Sequence, residues 1–190
     1  MPLLVIQALS AAVGTCAGFQ LPAAFQLPVP PIHTRSVASA VAAAKWQAPD
    51  TIAFVARGRV GRSEFHSDPS DEVMYMIKGD MNLHYIDAGG EERVAVIREG
   101  EIIYCPAGTP HSPRFPRDAF VLVLERKRRA GERDKFSWFC EKCRAPLFES
   151  VRVVSDYRED PVSRVYEEFY SEDKHRTCGK CGHVTARPAG

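Results

Sequence analysis

The segment Gly100-Glu-Ile-Ile-Tyr-Cys-Pro106-Ala-Gly108-Thr-Pro-His111 constrains this chain more than any other. A glycine opens it at a tight turn, a short apolar run follows, and a Pro-Gly corner then aims one imidazole back along the chain. Such a segment presents a histidine at a strand end, where ligands from an earlier strand can meet it. His66 and Glu72 are available upstream. Two imidazoles and one carboxylate are the donor set of a non-haem Fe(II) site that leaves coordination positions open for a substrate and O2.

The surrounding text is strand-like. Thr51 to Ala56, Glu72 to Ile77, Met81 to Ile86, Glu92 to Ile97, Glu101 to Cys105 and Ala119 to Glu125 are short β-rich runs, and Asp87-Ala-Gly-Gly90 is a hairpin turn. Short strands separated by turn residues predict an all-β sandwich or barrel. Pro161 to Tyr170 differs, with apolar residues at 162, 165, 166 and 169, a helical spacing. The expected organisation is an N-terminal extension over 1–44, a barrel over 45–131 and a C-terminal segment over 132–190.

A net charge of +1 gives no electrostatic case for nucleic acid or an anionic membrane as a main partner. No uninterrupted apolar stretch is long enough to read as a spanning helix. Residues 1–44 nevertheless stand apart. Met1 to Gly18 is mostly apolar, a Pro-rich stretch runs to Pro31, and His33 to Lys45 is Ala/Ser-rich, basic and free of acids. That pattern suits either a targeting segment for organelle import or a loosely packed extension of a cytoplasmic protein.

Four of the six cysteines form two pairs, Cys140-Glu-Lys-Cys143 and Cys178-Gly-Lys-Cys181. Four thiolates in two such knuckles suit tetrahedral iron or zinc, and a closed ligand set predicts a structural clip. Disulfides and a nucleic-acid-binding zinc ribbon are the competing readings. Cys105 reads as a buried small hydrophobe, Cys16 lies in the extension, and His84 reads as a packed or surface histidine; His175 and His183 flank the second knuckle, where either could serve as a stray ligand, though four cysteines are the more economical set.

The two halves of the candidate iron site have matching spacing. Gly58, five residues, Glu64, one residue, His66, five residues, Glu72, six residues and Gly79 follow the first cupin motif, and Gly100 to His111 follows the second. Glu64 stands where that motif commonly has a histidine and is not counted as a ligand. Beyond spacing, the chain from about Trp46 onward resembles the 3-hydroxyanthranilate 3,4-dioxygenase family of cupins. The matching text is Arg62-Ser-Glu-Phe-His66-Ser-Asp-Pro-Ser-Asp-Glu72, Cys105-Pro-Ala-Gly-Thr-Pro-His111-Ser-Pro113, Leu124-Glu125-Arg126 and Phe136-Ser-Trp-Phe-Cys140. Phe169-Tyr-Ser-Glu-Asp-Lys174 with Cys178 and Cys181 resembles the bacterial and fungal form, which carries a four-cysteine site.

The resemblance implies a cupin-type small β-barrel with a rubredoxin-like C-terminal appendage. It implies Fe(II) on His66, Glu72 and His111, iron or zinc on the four cysteines, and a homodimer. It also implies extradiol opening of 3-hydroxyanthranilate by O2 to 2-amino-3-carboxymuconate semialdehyde, the precursor of quinolinate and NAD. Arg62 matches an arginine on the O2 and substrate side, and Glu125 a glutamate that meets the substrate's amine or hydroxyl edge. The family's carboxylate-clamping arginine has no direct counterpart, because Ser112-Pro113-Arg114-Phe115 stands where Ser-Pro-Gln-Arg is usual. Aligned with one residue deleted, Arg114 becomes the clamp. Aligned without a gap, Phe115 displaces it and implies a relative with an altered aromatic substrate. A non-catalytic cupin that binds a metal or small ligand is the reading from another class.

Overall fold

Strands that change sheets at glycine corners build this molecule. The structure is a computed structural model that describes residues 4–6, 42–43, 50–59, 61–154 and 161–188. Its strands are β1 (Leu4–Ile6), β2 (Ala42–Ala43), β3 (Thr51–Arg57), β4 (Phe65–Ser67), β5 (Glu72–Lys78), β6 (Met81–Ile86), β7 (Glu92–Ile97), β8 (Ile102–Cys105), β9 (His111–Arg114), β10 (Phe120–Arg126), β11 (Asp134–Phe139) and β12 (Pro146–Arg152). Two helices follow, α1 (Pro161–Ser171) and α2 (Asp173–Arg176). The strands form two antiparallel sheets in the orders β1-β8-β5-β10-β3-β2 and β12-β11-β4-β9-β6-β7. From β4 to β11 the chain passes repeatedly between the two sheets, as a cupin-type barrel requires.

Period-two alternation decides what faces inward. In β5, Met74 and Met76 are buried while Tyr75 and Ile77 are exposed. In β10, Val121 and Val123 are buried. With Met81, Leu83, Ile97 and Ile103 these side chains fill the space between the sheets. Full burial of each large apolar side chain contributes roughly 1.5–3 kcal/mol. Glu72 and Glu125 share the inward parity of their strands, so each ends an apolar row with a carboxylate.

The barrel continues past its expected boundary at 131. β11 pairs with β4 through Phe136↔His66, and β12 pairs with β11, so Asp134–Phe139 and Pro146–Arg152 belong to the second sheet, with the first cysteine knuckle in the turn between them. The strand cadence misses these two strands because Asp134, Lys135 and Pro146 dilute their apolar pattern. Within the expected extension, Leu4–Ile6 pairs with β8 and Ala42–Ala43 with β3, at opposite edges of the first sheet. The rest of the proposed targeting segment, Cys16 included, lies outside the described residues.

Helix α1 occupies the predicted apolar spacing. Val165 and Phe169 are fully buried and pack with Trp138, whose ring stacks on Phe169 at 4.5 Å between centroids. This second cluster joins the C-terminal segment to the barrel through β11. Among the described residues, no helix is long and apolar enough to cross a membrane.

Candidate metal centre

Gly100 and Gly108 both have positive φ, 82° and 76°, which explains the glycines of the opening motif. Gly100 N–H bonds to Met76 C=O at 2.8 Å and so hangs the second motif on β5. Gly108 N–H bonds to Asp68 C=O at 2.8 Å, fastening the Pro-Gly corner to the first motif. His111 then starts β9 directly opposite His66 of β4. On the facing sheet, Glu72 is opposite both Cys105 and Glu125.

The result is a buried group of donors. His66, Asp68, Glu72 and His111 each offer a ligand atom, and all four atoms lie within 4.8 Å of one another. The expected trio His66, Glu72 and His111 is therefore brought together. Asp68, two residues from His66, is a fourth donor that sequence reasoning passed over. Glu64 takes no part, and its carboxylate pairs with Arg62 Nε at 2.6 Å.

Outer partners orient the imidazoles. His111 Nε2 lies 2.8 Å from Glu72 Oε2, the closest approach between an imidazole and a carboxylate of the group. The other ring nitrogen, Nδ1, lies 3.0 Å from Thr109 C=O and 3.5 Å from Cys105 Sγ. His66 Nε2 lies 2.8 Å from Asp134 Oδ2, which leaves its second nitrogen for the centre. Its ring stacks on Phe136 at 4.6 Å and 6°. A metal-ligating histidine held by a carboxylate or carbonyl on its far nitrogen is the arrangement that fixes ring orientation.

The electrostatics agree with a cation site. Burial raises the pKa of Asp68, reinforced by the charge of Glu72. Burial also pushes Glu125 up to about 8, with Glu72 adding to it against the opposing pull of Arg128. For Glu72, burial is outweighed by His111, and its pKa falls. For His111, burial is outweighed by Cys105 and Glu72, and its pKa rises well above the ordinary value. Crowded carboxylates facing an imidazole that retains its proton describe a pocket in which a divalent cation replaces that proton.

Glu125 sits 4 % exposed beside this group, bonded by Arg128 at 2.8 Å. Arg114 does not reach it. Three residues after His111 on β9, its side chain emerges on the opposite face. Its Nε bonds Ser112 Oγ at 3.3 Å, and its guanidinium lies 5.8 Å from the centre of the Phe65 ring. It lines a separate cavity of about 180 Å3 with Glu92, Phe139 and Arg144. Phe115 packs against the barrel core. The one-residue deletion that promotes Arg114 to the clamp thus puts it on the wrong parity.

A second donor group lies at the other end of β11. Cys140, Cys143, Cys178 and Cys181 bring their sulfurs within 4.8 Å of one another. All four are free thiols, with Cys140–Cys181 at 3.6 Å and Cys143–Cys178 at 3.5 Å, too long for S–S bonds. The two knuckles match. Each turns at a left-handed residue four positions after its first cysteine, Arg144 (φ 61°) and Gly182 (φ 71°). The N–H of Cys181, aided by that of Lys180, holds the Cys178 thiol down to about 6. At Cys143 the N–H of Ala145 pulls downward, but burial and the neighbouring sulfurs push the thiol to about 12. Four sulfurs that resist shared ionisation suit a metal that takes them as thiolates. His175 bonds Glu168 C=O, and His183 and His84 face Glu141 and Glu92, so none joins a donor group.

A family model described as 3-hydroxyanthranilic acid dioxygenase matches residues 33–170. The chain belongs to the 3-hydroxyanthranilic acid dioxygenase family. It is 35% identical over 161 residues to a 3-hydroxyanthranilate 3,4-dioxygenase of Bacillus thuringiensis, covering 85% of each chain. A relative of the same name from Shewanella woodyi is 36% identical over 140 residues, 73% of each chain. One from a Jannaschia species is 39% identical over 137 residues, 71% of this chain and 74% of the relative. In this dioxygenase family member, the family match includes both halves of the His/carboxylate group and the first cysteine pair; Cys178 and Cys181 lie beyond it.

Proposed function

We propose that this protein opens the ring of 3-hydroxyanthranilate with O2, giving 2-amino-3-carboxymuconate semialdehyde. The observation that carries the reading is the convergence of His66, Glu72 and His111 in a buried pocket of a chain from this family. Two imidazoles and carboxylate oxygen fit Fe(II), which when bound supplies the electronic coupling between an aromatic ring and O2. Both oxygen atoms enter the product, so no external reductant is needed.

The chain's own residues supply geometry and proton control. Asp134 and Phe136 hold the His66 ring, and Thr109 C=O holds that of His111. Glu125, raised to about 8, is poised to exchange a proton with the substrate's hydroxyl or amine near neutral pH. Arg62, paired with Glu64, is the remaining candidate for a cation toward O2 and the substrate carboxylate. The four-cysteine group holds iron or zinc as a structural clip. Iron-loaded protein supplied with 3-hydroxyanthranilate should take up one O2 per ring and form a near-ultraviolet-absorbing product. Absence of uptake by the loaded wild type overturns the reading.

The placement of Arg114 and Phe115 favours one second reading, a relative acting on an aminophenol without the carboxylate. Turnover of 2-aminophenol faster than 3-hydroxyanthranilate would select it.

A further inference from the structure

The chain turns sharply after β10. Arg126 makes a forked pair with Glu132 at 2.6 and 2.7 Å, and the Glu132 carboxylate accepts the Arg129 N–H at 2.7 Å. Arg126 also donates to Pro69 C=O at 2.7 Å, tying the turn to the loop between the two ligand strands β4 and β5. This clasp folds Arg128 inward, where its side chain is only 4 % exposed. An arginine so buried must have its charge balanced by groups within reach.

The groups it meets belong to two different parts of the site. Arg128 Nε and Nη2 grip the two oxygens of Asp134 at 2.7 and 2.8 Å, a planar fork on a carboxylate. Asp134 Oδ2 is the atom that meets His66 Nε2. Arg128 Nη1 donates to Glu125 Oε2 at 2.8 Å and to Ser70 Oγ at 3.0 Å. One planar cation therefore stands between the carboxylate that orients a candidate metal ligand and the carboxylate assigned to the substrate. Because the guanidinium is rigid, moving either carboxylate must move the fork and disturb the other.

We propose that Arg128 is a positioning residue that sets the orientation of His66, through Asp134, together with the placement of Glu125. A lysine is not equivalent here. It keeps the charge but cannot grip both oxygens of Asp134 and also reach Glu125. The metal side of the proposal stands on the donor geometry alone, and its substrate side rests on the ring-opening function proposed above.

The test is a Co(II) titration of the full-length apo-protein, followed by steady-state kinetics of the iron-loaded enzyme with 3-hydroxyanthranilate. Co(II) on four thiolates absorbs strongly in the near ultraviolet and so reads the thiolate site, and total bound Co(II) from equilibrium dialysis less that amount reads the His/carboxylate site. Arg128→Lys and Arg128→Met should weaken Co(II) at the His/carboxylate site by about 10–100-fold, the range for losing an outer partner. The thiolate site should be unchanged. The same variants should raise the KM for 3-hydroxyanthranilate by about 10-fold or more, as loss of a charged hydrogen bond does. Asp134→Asn should reproduce the metal effect with a smaller rise in KM, and Glu125→Gln the KM effect with a smaller loss of Co(II) affinity, because each weakens one grip of the shared fork and disturbs the other through it. If Arg128→Met does not fold, Arg128→Lys decides. Co(II) affinity within twofold of wild type in a folded Arg128 variant overturns the proposal, as does weakening of both metal sites together. Wild-type protein that binds Co(II) but takes up no O2 with 3-hydroxyanthranilate would sink the ring-opening reading, while the metal titration still decides the role of Arg128.

Discussion

Trp138 joins the barrel to the C-terminal segment, and its removal gives the sharpest stability prediction. The indole is 2 % exposed and lies parallel to Phe169 at 4.5 Å and 12°. Tyr166 and Phe148 meet it at tilted angles, 5.6 and 5.9 Å away. Its Nε1–H donates to Ser63 Oγ at 3.1 Å. Trp138→Ala removes this packing and leaves a cavity, at a cost of about 3–5 kcal/mol. At about 2–4 °C per kcal/mol for a chain of this size, Tm should fall by roughly 6–20 °C. Trp138→Phe keeps a stacked ring and loses mainly the N–H bond, about 1 kcal/mol. Ser63 Oγ then still has Tyr170 Oη at 3.2 Å, so no hydroxyl is orphaned. Circular dichroism melts of metal-loaded protein measure both variants. An alanine variant that melts within about 3 °C of wild type, or no lower than the phenylalanine variant, would refute the joint.

Glu72→Gln keeps the shape but removes the anionic donor, and should weaken metal at the His/carboxylate group by more than about 100-fold, beyond the effect of losing an outer partner; metal analysis after dialysis checks it. Cys143→Ser should remove one metal equivalent and lower Tm while leaving the barrel's own metal in place, as metal-to-protein ratios will show. Asp134 predicts the acid limb of stability. Burial raises its pKa, but hydrogen bonds from Arg128 and His66 outweigh that and hold it at about 2 against an ordinary 3.8. The unfolded chain therefore binds more protons between those values, so the contribution of Asp134 is complete above about 4 and fades as pH falls toward 2. In urea titrations, wild type and Asp134→Asn should differ at pH 5, with the gap narrowing below about pH 4 and closing only below about pH 2; a constant gap would contradict the assignment.

Much of the barrel is legible in the chain because inward residues alternate without interruption. Met81 to Ile86 and Glu92 to Ile97 have the boundaries their β-rich runs suggest, closed by Asp87 to Gly90. β4 and β9 are not legible as strands, since Phe65-His-Ser67 and His111-Ser-Pro-Arg114 spend inward positions on the candidate donors His66 and His111. The candidate donors His66, Glu72 and His111 were readable through spacing, which records the corners at Gly100 and Gly108. Asp134 was not, because it meets His66 across 68 positions of chain and no local pattern encodes that meeting. Arg128 was hidden for the same reason, in a run of charges that composition reads as solvated. Arg114 shows the opposite failure. Matching a residue type across a one-residue deletion neglects parity, and parity decides which side of a sheet it serves.

The two histidine-bearing strands, β4 and β9, pair at a single position, His66↔His111. Backbone bonds thus do little to close the second sheet at that seam. An ion gripping both imidazoles would act as a rivet across it, so metal loading should slow amide exchange along both strands more than elsewhere in the barrel. Occupancy and mechanical integrity of the wall would then be one property.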